Sequence, residues 1–373
     1  MAANTIIREN DLIEAAIAWL RERVPTSWSV EPSSRAELLT GPGRADAAVE
    51  IRSSGVYATL AIEAKRSLGP REVAGLFGSV GRTLRALNPT IPILVVAPWL
   101  SARTRDLLAE EGINYIDLTG NARVHLENPA LFIQSQGADR DPSPAPRGKA
   151  RVRGPKAARL IRTLADVRPP YGVRELADAT ELAPGYISRL LDSLDDDALV
   201  DRSKRGRVEK VDIAGLLRRW AETYDVFSSN DAATFLAPRG ASQTLTLLAG
   251  LPEAEQTAVT GSFAAVRVAP VAAPALLAVY CDNADAIAEA LDLILTDEGA
   301  NVALLRPFDP VVWQRSEEQD GTRYVAPSQA AVDCLTGNGR MPAEGEALLD
   351  WMLANEQEWR LESLAEVTQG RAA

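Results

Sequence analysis

Two groups of residues have the types and spacing that chemistry on phosphates needs. Asp46 lies at the mouth of one predicted strand, and Glu63-Ala64-Lys65 closes the next. Side chains alternate across a strand, so Glu63 and Lys65 share one face. Two carboxylates there would suit a magnesium ion, with the lysine polarising a water or steadying phosphate oxygens. The same trio equally suits a fold kept for binding or assembly, in which Glu63 and Lys65 are a surface ion pair and nothing is cleaved. The second group is Arg202, Lys204, Arg205 and Arg207 around Gly206. Cations crowded on a turn would straddle a phosphate backbone or enter a minor groove.

Other chemistries are excluded by what the chain lacks. It has one histidine, His125, so Ser-His-Asp and Cys-His catalysis would rest on that residue, and His-rich metal sites are impossible. His125 sits in the strand-like Val124-His125-Leu126 and reads as a half-buried structural residue. Cys281 and Cys334 are too few for a disulfide framework or a four-thiolate zinc site, and apolar surroundings mark them as buried thiols. Catalysis, if present, is carboxylate or lysine chemistry.

The elements that must position these groups follow from periodicity. The 373 residues exceed what one core usually organises, so several domains are expected. Leu12, Ile13, Ala16, Ile17 and Leu20 recur at helical spacing. Strands then read at 27–31, 45–51 and 56–64, punctuated by Gly41-Pro42-Gly43 and Ser53-Ser54-Gly55. A helix follows over 70–88, with Val73, Leu76, Phe77, Val80 and Leu84 on one face. The apolar run 91–96 reads as a strand buried on both faces. A helix capped by Ser101 and ended by Gly112 leads to a strand at 113–118. Residues 1–137 thus read as a mixed α/β sheet domain, and 138–154, rich in Pro, Gly, Asp, Ser and Arg, as a linker.

Residues 155–225 read helix, helix, turn, helix, hairpin, the order of a winged helix-turn-helix. Helix 186–194 places Ile187, Leu190, Leu191 and Leu194 inward and Tyr186, Ser188 and Arg189 outward. A helix of about ten residues after a Gly-containing turn can enter the ~12 Å major groove. Arg189 would take a guanine; Tyr186 and Ser188 suit phosphate or thymine. Trp220 and Tyr224, one helical turn apart, suit packing against a neighbouring domain or subunit more than base stacking. Residues 230–373 read as a C-terminal α/β domain, with strands at 275–281 and 301–305 flanking a helix at 283–293, and helices at 329–335 and 343–354.

Charge is segregated along the chain. The total is −11, but residues 147–219 hold 17 Lys and Arg against 11 Asp and Glu, while the remainder holds 23 against 40. A confined basic footprint on an acidic protein suits phosphate contact by one face.

The order α-β-β-β-α-β with Asp46, Glu63 and Lys65 resembles the PD-(D/E)xK, restriction-endonuclease-like superfamily. Ala45 stands where that family often has proline, and Glu14 matches a further acidic position of some members. The stretch Ile113-Asn114-Tyr115-Ile116-Asp117-Leu118-Thr119-Gly120-Asn121-Ala122, placed before the helix-turn-helix, looks like the AbiEi-type antitoxin-related regulators of bacteria. The segment 216–224 and the Gly337-Asn338-Gly339-Arg340 region are similar to them as well. From spacing alone, Gly120-Asn121 and Gly337-Asn338-Gly339 are ordinary turn chemistry. The resemblance implies a transcriptional repressor and allows a cognate nucleotidyltransferase toxin as partner.

The expected function is therefore that of a sequence-specific regulator of double-stranded DNA, acting as a homodimer because one such module reads few bases. The alternative is a Mg²⁺-dependent endonuclease using Asp46, Glu63 and Lys65, with Asp46 and Glu63 holding the metal. A third reading is a scaffold that binds protein through the same helices. No cofactor is expected unless the nuclease reading holds. With no apolar stretch of about 18 residues and no leader-like start, the chain is expected to be cytoplasmic and without a membrane partner.

Overall fold

A computed structural model describes residues 8–33, 45–76, 91–143, 152–251 and 256–369. The chain divides into two compact units, Met1–Gly148 with Asp196–Ala198, and Lys149–Asp195 with Leu199–Ala373. Both are mixed α/β.

In the first unit, seven strands hydrogen-bond in chain order: β1 (Ser29–Pro32), β2 (Ala47–Ser53), β3 (Val56–Ala64), β4 (Ile93–Ala97), β5 (Asn114–Asp117), β6 (Ala122–Leu126) and β7 (Leu131–Ser135). Strands β3, β4 and β5 run parallel, and their neighbours on either side are antiparallel. A parallel step needs a crossover, and helices α2 (Pro70–Leu76) and α3 (Ala102–Glu110) lie in those two connections. Helix α1 (Glu9–Arg23) buries Leu12, Ala16, Ile17 and Leu20 in a cluster with Ile62, Leu94 and Val96. Val95, Ala97 and Tyr115 join a second cluster with Leu108 of α3. Burial on both faces is why 93–97 is uniformly apolar instead of alternating. Ser101 caps α3, accepting from the Thr104 amide at 3.2 Å.

The predicted strands and the Ser101 helix match these elements within a few residues. Of the predicted helix 70–88, residues 77–88 lie outside the described residues, as do Gly41–Gly43 and residues 144–151 of the predicted linker. The β6–β7 hairpin extends the sheet, and it corrects the reading of His125. That side chain is exposed, packed edge-on against exposed Phe132 with ring centroids 5.9 Å apart.

The second unit begins with α4 (Pro155–Asp166), α5 (Val173–Thr180), α6 (Pro184–Asp196), the hairpin β8 (Val200–Arg202) and β9 (Val208–Val211), and α7 (Ile213–Ala221). A second seven-stranded sheet follows: β10 (Asp231–Leu236), β11 (Thr257–Thr260), β12 (Leu277–Cys281), β13 (Ile294–Leu295), β14 (Val302–Arg306), β15 (Glu317–Gln319) and β16 (Thr322–Tyr324). Its order is β13-β10-β14-β12-β11-β16-β15. Helices α8 (Ala241–Leu248), α9 (Ser262–Ala265), α10 (Ala284–Ala290), α11 (Pro327–Leu335), α12 (Met341–Ala354), α13 (Glu356–Trp359) and α14 (Leu364–Gln369) accompany it. The β12-α10-β14 step is the parallel crossover that the predicted strand, helix and strand imply. One hydrophobic core runs from Val152 to Trp359, so the helical segment and the sheet are packed as one body.

Charged groups inside that core are paired within it, although Arg162 Nε is buried with no hydrogen-bond partner among the described residues. Arg162 of α4, 1% exposed, pairs with Asp166 at 3.1 Å and donates to Gln329 of α11 and to the carbonyls of Val311 and Gln314. Ser328 donates to Asp166 from α11. Asp333, also on α11 and fully buried, accepts from Tyr224 (2.8 Å), Gln329 (2.9 Å), Thr260 (2.6 Å) and Tyr280 (3.0 Å). Trp220 and Tyr224 stack at 5.1 Å, and Tyr224 also meets Phe308, so this aromatic pair packs against the C-terminal part of its own chain. Cys281 and Cys334 are buried, and burial pushes the Cys281 thiol up to about 11 and the Cys334 thiol up as well.

Candidate nucleic-acid interface

Helix α6 presents its surface because the apolar side is occupied. Ile187, Leu190, Leu191 and Leu194 are buried, which turns Arg189 fully outward and leaves Tyr186 and Ser188 half-buried. Burial raises the Tyr186 phenol above its ordinary value, and the ring packs against the core. The turn before α6 is closed by Glu181, whose φ of 57° lies in the left-handed region, and Ala183, Pro184 and Gly185 are exposed at the start of the helix. Arg189 therefore has the exposure that base contact requires.

The four cations of the hairpin divide into two pairs. Its turn is fixed by the Ser203 amide donating to the Arg207 carbonyl at 2.8 Å and by Gly206, whose φ of +79° favours glycine. Arg202 pairs with Asp192 of α6 at 2.5 Å and donates to the Gly206 carbonyl at 3.3 Å. Arg207 donates to the Pro170 carbonyl at 3.0 Å and pairs with Glu175 of α5 at 3.2 Å. Lys204 and Arg205 are exposed, and among the described residues neither has an ion-pair partner. The sequence treats all four alike; the structure makes two of them struts and leaves two projecting. Arg174, exposed on the first turn of α5, escaped the sequence reading because it belongs to no basic run.

The acidic trio is assembled in the first unit. Asp46, just before β2, accepts from the Ala64 amide at 2.9 Å. Glu63 near the end of β3 is 5% exposed, and Lys65 donates to its Oε1 at 2.5 Å. The expected surface ion pair is thus half interior: a buried carboxylate under a partly exposed ammonium. Burial raises the Glu63 carboxyl above its ordinary value; Lys65 pulls it down and Asp46 pushes it up. Glu63 Oε2 is buried with no hydrogen-bond partner among the described residues. The acid of α1 whose charge acts on Glu63 and Lys65 is Glu9, which also pairs with Arg66 at 3.7 Å; Glu14 is exposed. The arrangement offers two carboxylates and one ammonium. Among the described residues, no group of three or more His, Cys, Asp or Glu side chains is placed to hold a metal ion.

The Asp117-Leu118-Thr119-Gly120-Asn121 stretch is a structural bracket. Asp117, 1% exposed, accepts from the amides of Leu100, Thr119 and Asn121, and Asn121 accepts from the Gly137 amide and from Arg105. These bonds tie the ends of β4, β5 and β7 together and use up the polar groups. Gly337 packs closely against Met341: a Cβ there would lie 2.5 Å from the end of that side chain and 2.8 Å from its Cβ. No helix among the described residues is long and apolar enough to cross a membrane. No family model, curated protein or solved structure matches the chain.

Proposed function

We propose that the chain is a sequence-specific DNA-binding regulator, in which 155–221 acts as a winged helix-turn-helix. Helix α6 would enter the major groove and the tip of the hairpin would lie on the backbone. The observation that carries this reading is the outward set Arg189, Lys204 and Arg205 on a helix whose apolar face is buried and a hairpin whose Arg202 and Arg207 are paired. Its basic segment within an acidic chain supports it independently. A dimer on two half-sites would supply the specificity that one short helix lacks. Resemblance to AbiEi-type repressors adds autoregulation and a cognate toxin to the proposal.

A gel-shift series on the DNA upstream of its own gene tests this. Arg189→Ala should lose about 1–3 kcal/mol on the specific duplex and keep its non-specific affinity. Equal loss on specific and random duplexes would make Arg189 a phosphate contact, and no binding by the wild type would end the reading.

A second reading is favoured by one observation, the unpartnered Glu63 Oε2 beside Asp46. In a restriction-endonuclease-like domain, Asp46 and Glu63 would hold Mg²⁺, an ion that accepts one or two carboxylates and otherwise keeps its waters. The bound ion would supply Lewis acidity toward a phosphodiester. Lys65, already hydrogen-bonded to Glu63, would orient that carboxylate and present its remaining protons to phosphate oxygens. Cleavage of the same duplex only when Mg²⁺ is present would establish it.

A further inference from the structure

The hairpin and the first turn of α5 border a shallow, solvent-open cleft of about 440 Å³. Arg174, Arg202, Arg205 and Arg207 line it with one carboxylate, Glu175, and Asp192 pairs with Arg202 from beside it, so two of the four positive charges are uncompensated. Two of these guanidiniums are already committed. Arg202 is held by Asp192, and Arg207 is clamped between the Pro170 carbonyl and Glu175, which fixes their positions before any ligand arrives. Arg174 and Arg205 are exposed and have no ion-pair partner among the described residues. Gly206 contributes space: a Cβ there would stand 3.3 Å from the Arg202 guanidinium. Gly172, the N-cap of α5, has no side chain to cap the first-turn amides, and its own amide donates to the Glu175 carboxylate.

Uncompensated like charge gathered around a cavity repels itself, and an anion relieves that repulsion. Guanidiniums fit phosphate oxygens two bonds at a time. The open cleft has room for more than one phosphate group along its arginine-lined wall. We propose that this cleft binds a small phosphorylated ligand by its diphosphate-sized anionic end, with Arg174 and Arg205 as direct donors. Because Arg205 also projects from the hairpin tip, ligand and DNA would exclude each other. The exclusion rests on the DNA reading above; the anion site does not.

Isothermal titration calorimetry of the full chain with inorganic pyrophosphate, at constant ionic strength set with chloride, tests the site. One saturable site is expected, weakened at least ~10-fold by Arg174→Ala with Arg205→Ala. Arg174→Gln alone, which keeps the side-chain bulk, should weaken it in the same direction, and unchanged melting curves will show that both variants fold. Absence of saturable binding by the wild type, or equal affinity in the double variant, overturns the proposal. Fluorescence anisotropy of the protein on its upstream duplex then tests exclusion, with pyrophosphate expected to displace the DNA at matched ionic strength. Pyrophosphate that binds without displacing DNA overturns the exclusion and leaves the site standing. If no duplex binds at all, the DNA reading fails, and calorimetry still decides the site.

Discussion

Two regions of the second unit use the same residue types in opposite ways. Beneath the helical segment, Arg162, Asp166 and Asp333 are almost completely buried, and each carries several hydrogen bonds. On its surface, Arg174, Arg189, Lys204 and Arg205 are exposed, and among the described residues they have no ion-pair partner. Desolvation separates the two cases. A charge taken out of water must find its partners within the chain, whereas an exposed one keeps its hydration and can exchange it for a ligand. A cation count along the sequence adds both kinds together, so the basic footprint at 147–219 overstates the charge available to phosphate.

The largest effect that would break this comparison is at Arg162. Arg162→Ala removes the closer of the two cations paired with Asp166, leaving Arg315 at 3.8 Å, and empties four hydrogen bonds in a buried site, so a loss of about 3–5 kcal/mol in urea denaturation is expected. Arg189→Ala, by contrast, should leave stability within about 0.5 kcal/mol. Similar losses at the two positions would mean that burial is not what separates them.

Asp333 sharpens the same point through pH. Burial lifts its carboxyl to about 6, against an ordinary 3.8, while the bonds from Thr260, Tyr224, Gln329 and Tyr280 hold it down. Between these two values the folded chain keeps a proton that the unfolded chain has released. Stability from this group is therefore greatest in acid, falls as pH rises from about 4 to about 6, and levels off above that. Asp333→Asn cannot titrate, so its melting temperature should show less of that fall than the wild type does. Parallel pH profiles for the two proteins would place the titration elsewhere.

The hairpin makes a smaller and purely electrostatic test. Neutralising Lys204 and Arg205 should reduce the slope of log K against log salt by about 0.9 for each phosphate that is no longer neutralised. Arg202→Ala and Arg207→Ala should act instead by loosening the hairpin, lowering affinity with less change in slope, because their guanidiniums are engaged with Asp192, Glu175 and backbone carbonyls. Equal slope changes for all four would restore the view of the hairpin as a uniform basic patch.

The sequence was most legible where one physical rule dominated. Residues 91–96 declared a two-sided strand because parallel strands are covered on both faces, and the 3–4 spacing of Ile187, Leu190, Leu191 and Leu194 fixed the face of α6. Strands β10, β11, β13, β15 and β16 went unread. They are two to six residues long and several are rich in Ala, Asp or Glu; β10, β11 and β13 pair with segments distant in sequence, while β15 and β16 form a short local hairpin whose strands are polar. At the sites, residue identity was readable but partnership was not. Nothing in the spacing of Arg202 and Lys204 shows that the first reaches Asp192 while the second has no ion-pair partner among the described residues. Likewise the acid of α1 that acts on Glu63 is Glu9, five residues before the position that the family resemblance suggested.

The smallest effect is expected in the first unit. Asp46→Ala removes an exposed carboxylate that accepts one backbone hydrogen bond, from Ala64, so a stability change of about 1 kcal/mol is expected. Lys65→Ala is harsher, because Glu63 would lose its counter-charge while staying buried; its carboxyl would rise further and the protein would become more stable in mild acid relative to neutral pH. Neither residue belongs to the proposed DNA contacts. Affinity for the upstream duplex, measured by gel shift on folded variants, should therefore match the wild type within about twofold, and the wild type should leave that duplex intact with Mg²⁺ present. Mg²⁺-dependent cleavage by the wild type, abolished in either variant, would make the unpartnered oxygen of Glu63 a metal ligand and put the endonuclease reading first.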